Sequence, residues 1–307
     1  MSATNTYIPS RYDERVVHLA LGVEPRSTLD SQRLDSGVDV RWEHFPRPVD
    51  RWRRWRPQET LTSALPALHR LRSGRFTRRY DEGVDTPMDV RIVDDERNGT
   101  LRISGRGRRI VPRRLRIAIA TEAVVLAAEA DPSTPPHPIW QRAFPIECFP
   151  GAAADLPSGA TVIRGTILRT DAGGELVPVR WARVLAETPG GVEVGWAHGD
   201  ERGEFVLVVR TSSGDVAVPA DPFPVALTIG AQLPPPVPDP ADPLLAVIDP
   251  LWDLPLEIAV ASPDPGGEAT LTGRRFLAEH SLVVPLVPPQ PVLVPHGRQV
   301  SVVIRIS

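Results

Sequence analysis

VIRGTIL at Val162–Leu168, VPVRWARVLA at Val177–Ala186 and VGWAHGDERGEFVL at Val194–Leu207 are three strand-like runs separated by turn residues. Gly165 interrupts the apolar residues Val162 and Ile167, where a missing side chain permits a bulge or a close backbone approach. Pro178 fixes the start of the second run. Asp200 and Gly203 predict a tight turn, since Asp caps its own loop and Gly takes the left-handed backbone. Phe205 and Leu207 then fall on one face at a period of two and predict core positions. The pattern is that of a small β-sandwich module.

Outward from this stretch, composition points the same way. The chain has 307 residues, room for about two domains or three small ones. Proline accounts for 35 of them, far above the usual ~5%, which excludes long uninterrupted helices and favours extended segments, edge strands and rigid connectors. No apolar run approaches the ~18–20 residues of a membrane span, and MSATNTYIPSRYDERVV lacks the plan of a signal peptide. The expectation is a protein made in the cytoplasm, with release as part of a particle left open. Lysine is absent, so all 35 basic residues are arginine, as a GC-rich genome would produce. The single cysteine, Cys148, lies in the apolar FPIECFP and reads as buried filler, with no internal disulfide available to it.

Strand signals recur along the rest of the chain. Val16–Leu21 and Val38–Trp42 read as strands, and Met88–Val93 and Thr100–Ile103 as a hairpin turning on Asn98-Gly99. Leu115, Ile117 and Ile119 share one face of the next strand, with Arg116 on the other. Glu122–Glu129 is alanine-rich and fits either a strand or one or two helical turns. Leu256–Val260, Ser281–Leu286 and Val300–Ile306 are further strand candidates. The expected fold class is mostly β, with two or three antiparallel sandwich units, Ig-like or transthyretin-like, joined by Pro-rich linkers. Its divisions are a tail at 1–13, an Arg-rich β domain at 14–150, a sandwich at 161–230, a Pro-rich spacer at 231–242, and 243–307. That last segment is either a third unit or strands completing an earlier domain.

The charge is uneven. Residues 41–120 contain 20 arginines and 10 acidic residues, whereas the remainder holds 15 and 28. The candidate interface comprises Arg51, Trp52, Arg53, Arg54, Trp55 and Arg56, then Arg75, Arg78 and Arg79, then Arg108 and Arg109. Arginine interleaved with tryptophan suits a protein–protein interface. It also suits a nucleic-acid groove, although the acidic remainder disfavours one. A third reading is that these arginines pair with the protein's own acidic half.

Signals for chemistry are weak. The seven histidines show no zinc-binding spacing, and no nucleophile elbow, phosphate loop or dinucleotide fingerprint occurs. Ser104–Arg109 is glycine-rich but precedes a proline-containing strand, so it lacks the helix N-terminus that phosphate sites use. His198 beside Asp200 reads as a turn residue bonded within its own loop. No catalytic residue, cofactor or metal is expected. The tryptophans offer an alternative, a carbohydrate- or envelope-binding site.

With Gly165, Pro178-Val179, Ala182, Val184, Gly195, Asp200, Gly203, Phe205 and Leu207 in view, residues 161–210 resemble the carboxypeptidase regulatory-like domain. That resemblance implies a transthyretin-like seven-stranded sandwich used for folding or docking, without peptidase activity. Gly199 departs from the family's usual threonine, and Trp181 and Trp196 are bulkier than its usual residues. Tyr12–Val17 and Ile110–Leu115, with this module behind them, resemble accessory structural proteins of phage-tail-like contractile injection systems. The implied partners are other protein subunits, with a homo-oligomer also open.

Overall fold

The structure is a computed structural model. It describes residues 19–34, 36–42, 68–79, 98–118, 122–130, 143–210, 222–232, 251, 253–258, 282–283 and 290–306. Strands make up 57% of these residues and helix 5%, so the class is mostly β.

Two sheets enclose the first core. One has the order β3 (His69–Arg70), β4 (Phe76–Arg79), β1 (Leu19–Ser27) and β7 (Ala143–Cys148). The other runs β14 (Leu256–Ile258), β6 (Arg113–Ala118), β5 (Asn98–Gly105) and β2 (Val38–Trp42). Alternation in each strand supplies the facing side chains. Val38, Val40 and Trp42 of β2 meet Leu101, Ile103, Leu115 and Ile117 on their own sheet, and Leu21, Val23, Phe76, Phe144 and Ile146 from the other. Cys148 completes this cluster, and its burial pushes the thiol up to about 12. The one α-helix among the described residues, α1 (Glu122–Ala130), buries Val125.

The second core lies between two further sheets. One has the order β12 (Glu204–Val208), β8 (Val162–Thr170) and β17 (Gln299–Ile306), with β9 (Leu176–Pro178) also on β8. The other has β11 (Glu193–His198), β10 (Arg183–Glu187), β13 (Phe223–Gln232) and β15 (Leu282–Val283), with β16 (Gln290–Val294) on β13. Phe205 and Leu207 point into this core as the period-two pattern requires. Gly165 stands directly opposite Phe205 in the β8–β12 register, and a Cβ on it would overlap the Phe205 ring. The glycine serves close approach, as its position in the strand suggests.

Several sequence expectations change. Asn98-Gly99 is not a turn: both residues pair within β5 against Ala118 and Ile117 of β6. Pro178 closes β9 opposite Leu168 and does not open β10. Three of the four sheets are mixed, with parallel pairs β1–β7, β6–β14 and β8–β17, while the sheet of β10, β11, β13, β15 and β16 is antiparallel throughout. Each parallel pair joins segments distant in sequence, as such pairing demands. Among the described residues after 242, every strand joins one of these four sheets. β14 adds to the first sandwich, while β15, β16 and β17 add to the second. The expected strand at Met88–Val93, the tail at 1–13 and most of the 231–242 spacer lie outside the described residues.

Candidate functional site

The strongest concentration of buried charge lies where the two sandwiches meet. Arg113 on β6 is 1% exposed and Glu257 on β14 is 1% exposed. The Arg113 side chain donates from Nε (3.3 Å) and from a terminal nitrogen (2.5 Å) to the two carboxylate oxygens of Glu257. Arg183 on β10, across in the second sandwich, donates to the same carboxylate at 2.9 Å. The three residues form a buried Arg–Glu–Arg bridge spanning both units. One further donor of each reaches a main-chain carbonyl, Arg113 to Glu147 and Arg183 to Trp181.

Burial works against both guanidinium charges, and the carboxylate decides how far. Burial lowers Arg113, but Glu257, its near partner by charge and by hydrogen bond, outweighs this and holds it above its ordinary value. Arg183 is equally enclosed with the more distant share of the carboxylate. Its burial, with repulsion from Arg113, pushes it down to about 10, still well above neutral pH. Both arginines therefore stay charged, and Glu257 is what makes their burial tolerable.

Aromatic packing surrounds this bridge. Phe149 stacks on His198 with ring centroids 3.6 Å apart and a 17° interplanar angle, while the Arg113 guanidinium lies 5.5 Å from the centroid of the same Phe149 ring. His198 is fully buried and ends β11 opposite Arg183, so it is a strand residue of the joint, not a loop residue.

A second set of contacts closes the same joint. Asp200 begins the predicted turn: one carboxylate oxygen accepts from the backbone N–H of Arg202 and Glu204, and Gly203 follows at φ 71°. The other oxygen of Asp200 accepts from Arg108 of the first sandwich, whose guanidinium also bonds Glu204, each at 2.5 Å. The bond it donates to Asp200, with that to Glu204, outweighs burial and holds Arg108 above its ordinary value. Arg108 and Trp181 both have left-handed backbones, at φ 60° and 58°. Such strain costs roughly 1–3 kcal/mol per residue and persists only where surroundings fix it. Both converge on Asp200, Arg108 through its side chain and Trp181 through its N–H to the Asp200 carbonyl. Arg180 pairs with Asp253 just before β14 through two bonds of 2.5 and 2.6 Å.

The linker between the sandwiches is held from both sides. The N–H groups of Gly151 and Ala153 bond the carbonyls of Arg109 and Arg108, and Arg164 of β8 donates to the carbonyls of Ala152 and Ala154. A Cβ on Gly151 would overlap the Arg108 carbonyl, so glycine is required at this approach.

The arginines singled out in the sequence are placed unevenly. Arg51, Trp52, Arg53, Arg54, Trp55 and Arg56 lie outside the described residues. Arg78 is buried with its guanidinium 4.9 Å from the centroid of the Trp42 ring. Arg108 is committed within the chain, and Arg109 meets Asp155 at 3.3 Å on the surface. Arg75 is exposed on the β3–β4 hairpin and bonds Glu24; Arg79 is exposed at the end of β4. Self-pairing with acidic residues elsewhere in the chain therefore accounts for Arg75, Arg108 and Arg109. Trp42 and Trp181 are buried, which removes them as sugar-stacking platforms. Among the described residues no group of three or more His, Cys, Asp or Glu side chains could hold a metal ion, and no helix is long and apolar enough to cross a membrane.

Sequence reading missed Arg113, Arg183 and Glu257 as a set, and the Arg180–Asp253 pair beside them. The available signal was a charge inside an apolar strand, Leu256-Glu257-Ile258, and an arginine in the apolar Ala182–Ala186 run.

No protein-family model matches the chain, and no curated protein matches it. Among solved structures it is similar to GBS52, a minor pilin of Streptococcus agalactiae, at 8% identity and a TM-score of 0.23, covering 94% of this chain and 95% of that one. It is also similar to the TIE protein of Bacillus anthracis, at 7% identity and a TM-score of 0.23, covering 94% of this chain and 33% of that one. A TM-score of 0.23 is too low for either likeness to say what this chain does.

Proposed function

We propose that this chain is a non-enzymatic structural subunit that docks into a larger protein assembly, its two sandwiches acting as one stiff body. The observation that carries this reading is the buried Arg113–Glu257–Arg183 bridge between the sandwiches. A bridge that no solvent reaches favours one fixed arrangement over free hinging, which suits a part that positions others. Docking is assigned to the basic side of the first sandwich. Arg70, Arg72 and Arg79 are exposed around the β3–β4 hairpin, and the Arg51–Arg56 run belongs to the same net-positive segment. The partner is then an acidic protein surface, and a phage-tail-like contractile injection particle is the assembly we favour. The carboxypeptidase regulatory-like resemblance of residues 161–210 fits a spacer or docking module within it.

A native pull-down of the tagged protein from its own host, read by mass spectrometry and electron microscopy, tests this. Recovery in large particles with sheath, tube or baseplate-like proteins is expected, weakening with salt as Arg-rich contacts do. The double change Arg53→Glu/Arg54→Glu is expected to reduce recovery while the monomer stays folded. Isolation as a lone small species under all salt conditions would overturn the reading.

A further inference from the structure

Among the described residues β17 is a lightly guarded edge strand. Among the described residues it pairs only with β8, in an eight-residue parallel ladder from Gln299↔Val162 to Ile306↔Arg169. Exposed edges are ordinarily blunted by proline, charged side chains, a bulge or short length. Gln-Val-Ser-Val-Val-Ile-Arg-Ile has no proline, its one charge is Arg305 near the far end, its register is unbroken, and it is long for an edge.

The direction of its main-chain groups follows from one bond. The Val162 N–H bonds the Arg298 carbonyl at 3.0 Å, so even-numbered residues turn their polar groups toward β8. By alternation the N–H and C=O groups of Gln299, Ser301, Val303 and Arg305 face the open edge. The same four residues are the solvent-exposed ones, and Val303 is 65% exposed. Val300, Val302, Ile304 and Ile306 pack toward the second core.

From this geometry we infer that β17 pairs antiparallel with β17 of a second copy of this chain, about a two-fold axis through Val303. Only registers whose opposed residue numbers sum to an even value keep inner residues opposite inner ones. Centring on Val303 sets Ser301 opposite Arg305, Val302 opposite Ile304 and Val300 opposite Ile306. It covers Val303 with its own counterpart and places no two like charges opposite each other. Self-complementarity of this kind is what an isologous two-fold interface requires. The product is a sheet continuous across two molecules, held by main-chain hydrogen bonds. This surface lies on the second sandwich, apart from the basic hairpin of the first, so dimerisation and assembly docking succeed or fail separately.

Engineered crosslinking tests the register. In a hydrogen-bonded antiparallel pair the opposed Cα atoms lie about 5.5 Å apart, within the disulfide range. Full-length Val303→Cys is expected to form a covalent dimer under mild oxidation. Ser301→Cys, whose opposite residue is Arg305, is expected to stay uncrosslinked. Cys148 is buried and does not compete. Sedimentation of the unmodified protein is expected to show a concentration-dependent shift from one copy toward two. Val303→Pro, which removes an edge-facing donor and no β8 bond, should abolish that shift while the circular dichroism spectrum is retained. A monomer at all concentrations, or equal crosslinking at positions 301 and 303, would overturn the inference.

Discussion

Gly165 and Phe205 face each other across β8 and β12, and the absent side chain of one makes space for the ring of the other. Gly165→Ala is expected to overpack this site and cost about 1–3 kcal/mol of stability, read from urea denaturation. Such a residue is legible because a glycine inside an apolar strand run marks a close approach, although three strands separate it from its partner along the chain. Asp200 and Gly203 are legible because a carboxylate bonding the N–H groups of Arg202 and Glu204 is a short-range device. Glu257 was not legible as a bridge. Its two arginine partners lie on β6 and β10, and nothing within its own strand records them. His198 was misread for a related cause, since the Phe149 ring stacked on it comes from outside its loop.

At the scale of elements, β1 shows how the basic segment is neutralised from within. Glu24 of β1 accepts from Arg26 at 2.9 Å and from Arg75 beside β4 at 2.5 Å, with Arg33 at 3.3 Å. Burial raises the Glu24 carboxyl, but the hydrogen bonds from Arg75 and Arg26, with the charges of Arg75 and Arg33, outweigh it and hold it below its ordinary value of 4.5. The unfolded chain therefore takes up this proton more readily than the folded one. The stabilisation is complete above the ordinary carboxylate range and is lost as the pH falls through the folded value. Urea midpoints of the wild type and Glu24→Gln should accordingly differ at pH 7 and converge as the pH drops below 4.5. A gap that persists unchanged in acid would assign Glu24 a packing role instead. Strand identity was largely readable from alternation, as in Val38–Trp42, Leu115–Ile117 and Val300–Ile306. Pairing was not. The Asn-Gly signal suggested a turn, whereas pairing with Ala118 and Ile117 of β6 holds it extended.

For the whole molecule, three parallel pairings bring distant segments together, and they are the part of the fold that sequence pattern does not encode. β14 returns to the first sandwich after the chain has already built β8 to β13 of the second, and it carries Glu257 into the joint between them. The chain thereby closes on itself across both units, and their arrangement follows from buried charge and stacked rings more than from linker stiffness. Removing the carboxylate leaves Arg113 and Arg183 buried together without compensation, a loss of about 3–5 kcal/mol by analogy with other broken buried pairs. Scanning calorimetry of the wild type and Glu257→Gln tests this coupling most directly. The account predicts one transition for the wild type, with calorimetric and van't Hoff enthalpies in agreement, and a lower, split transition for the variant. Two independent transitions in the wild type, unmoved by Glu257→Gln, would contradict it.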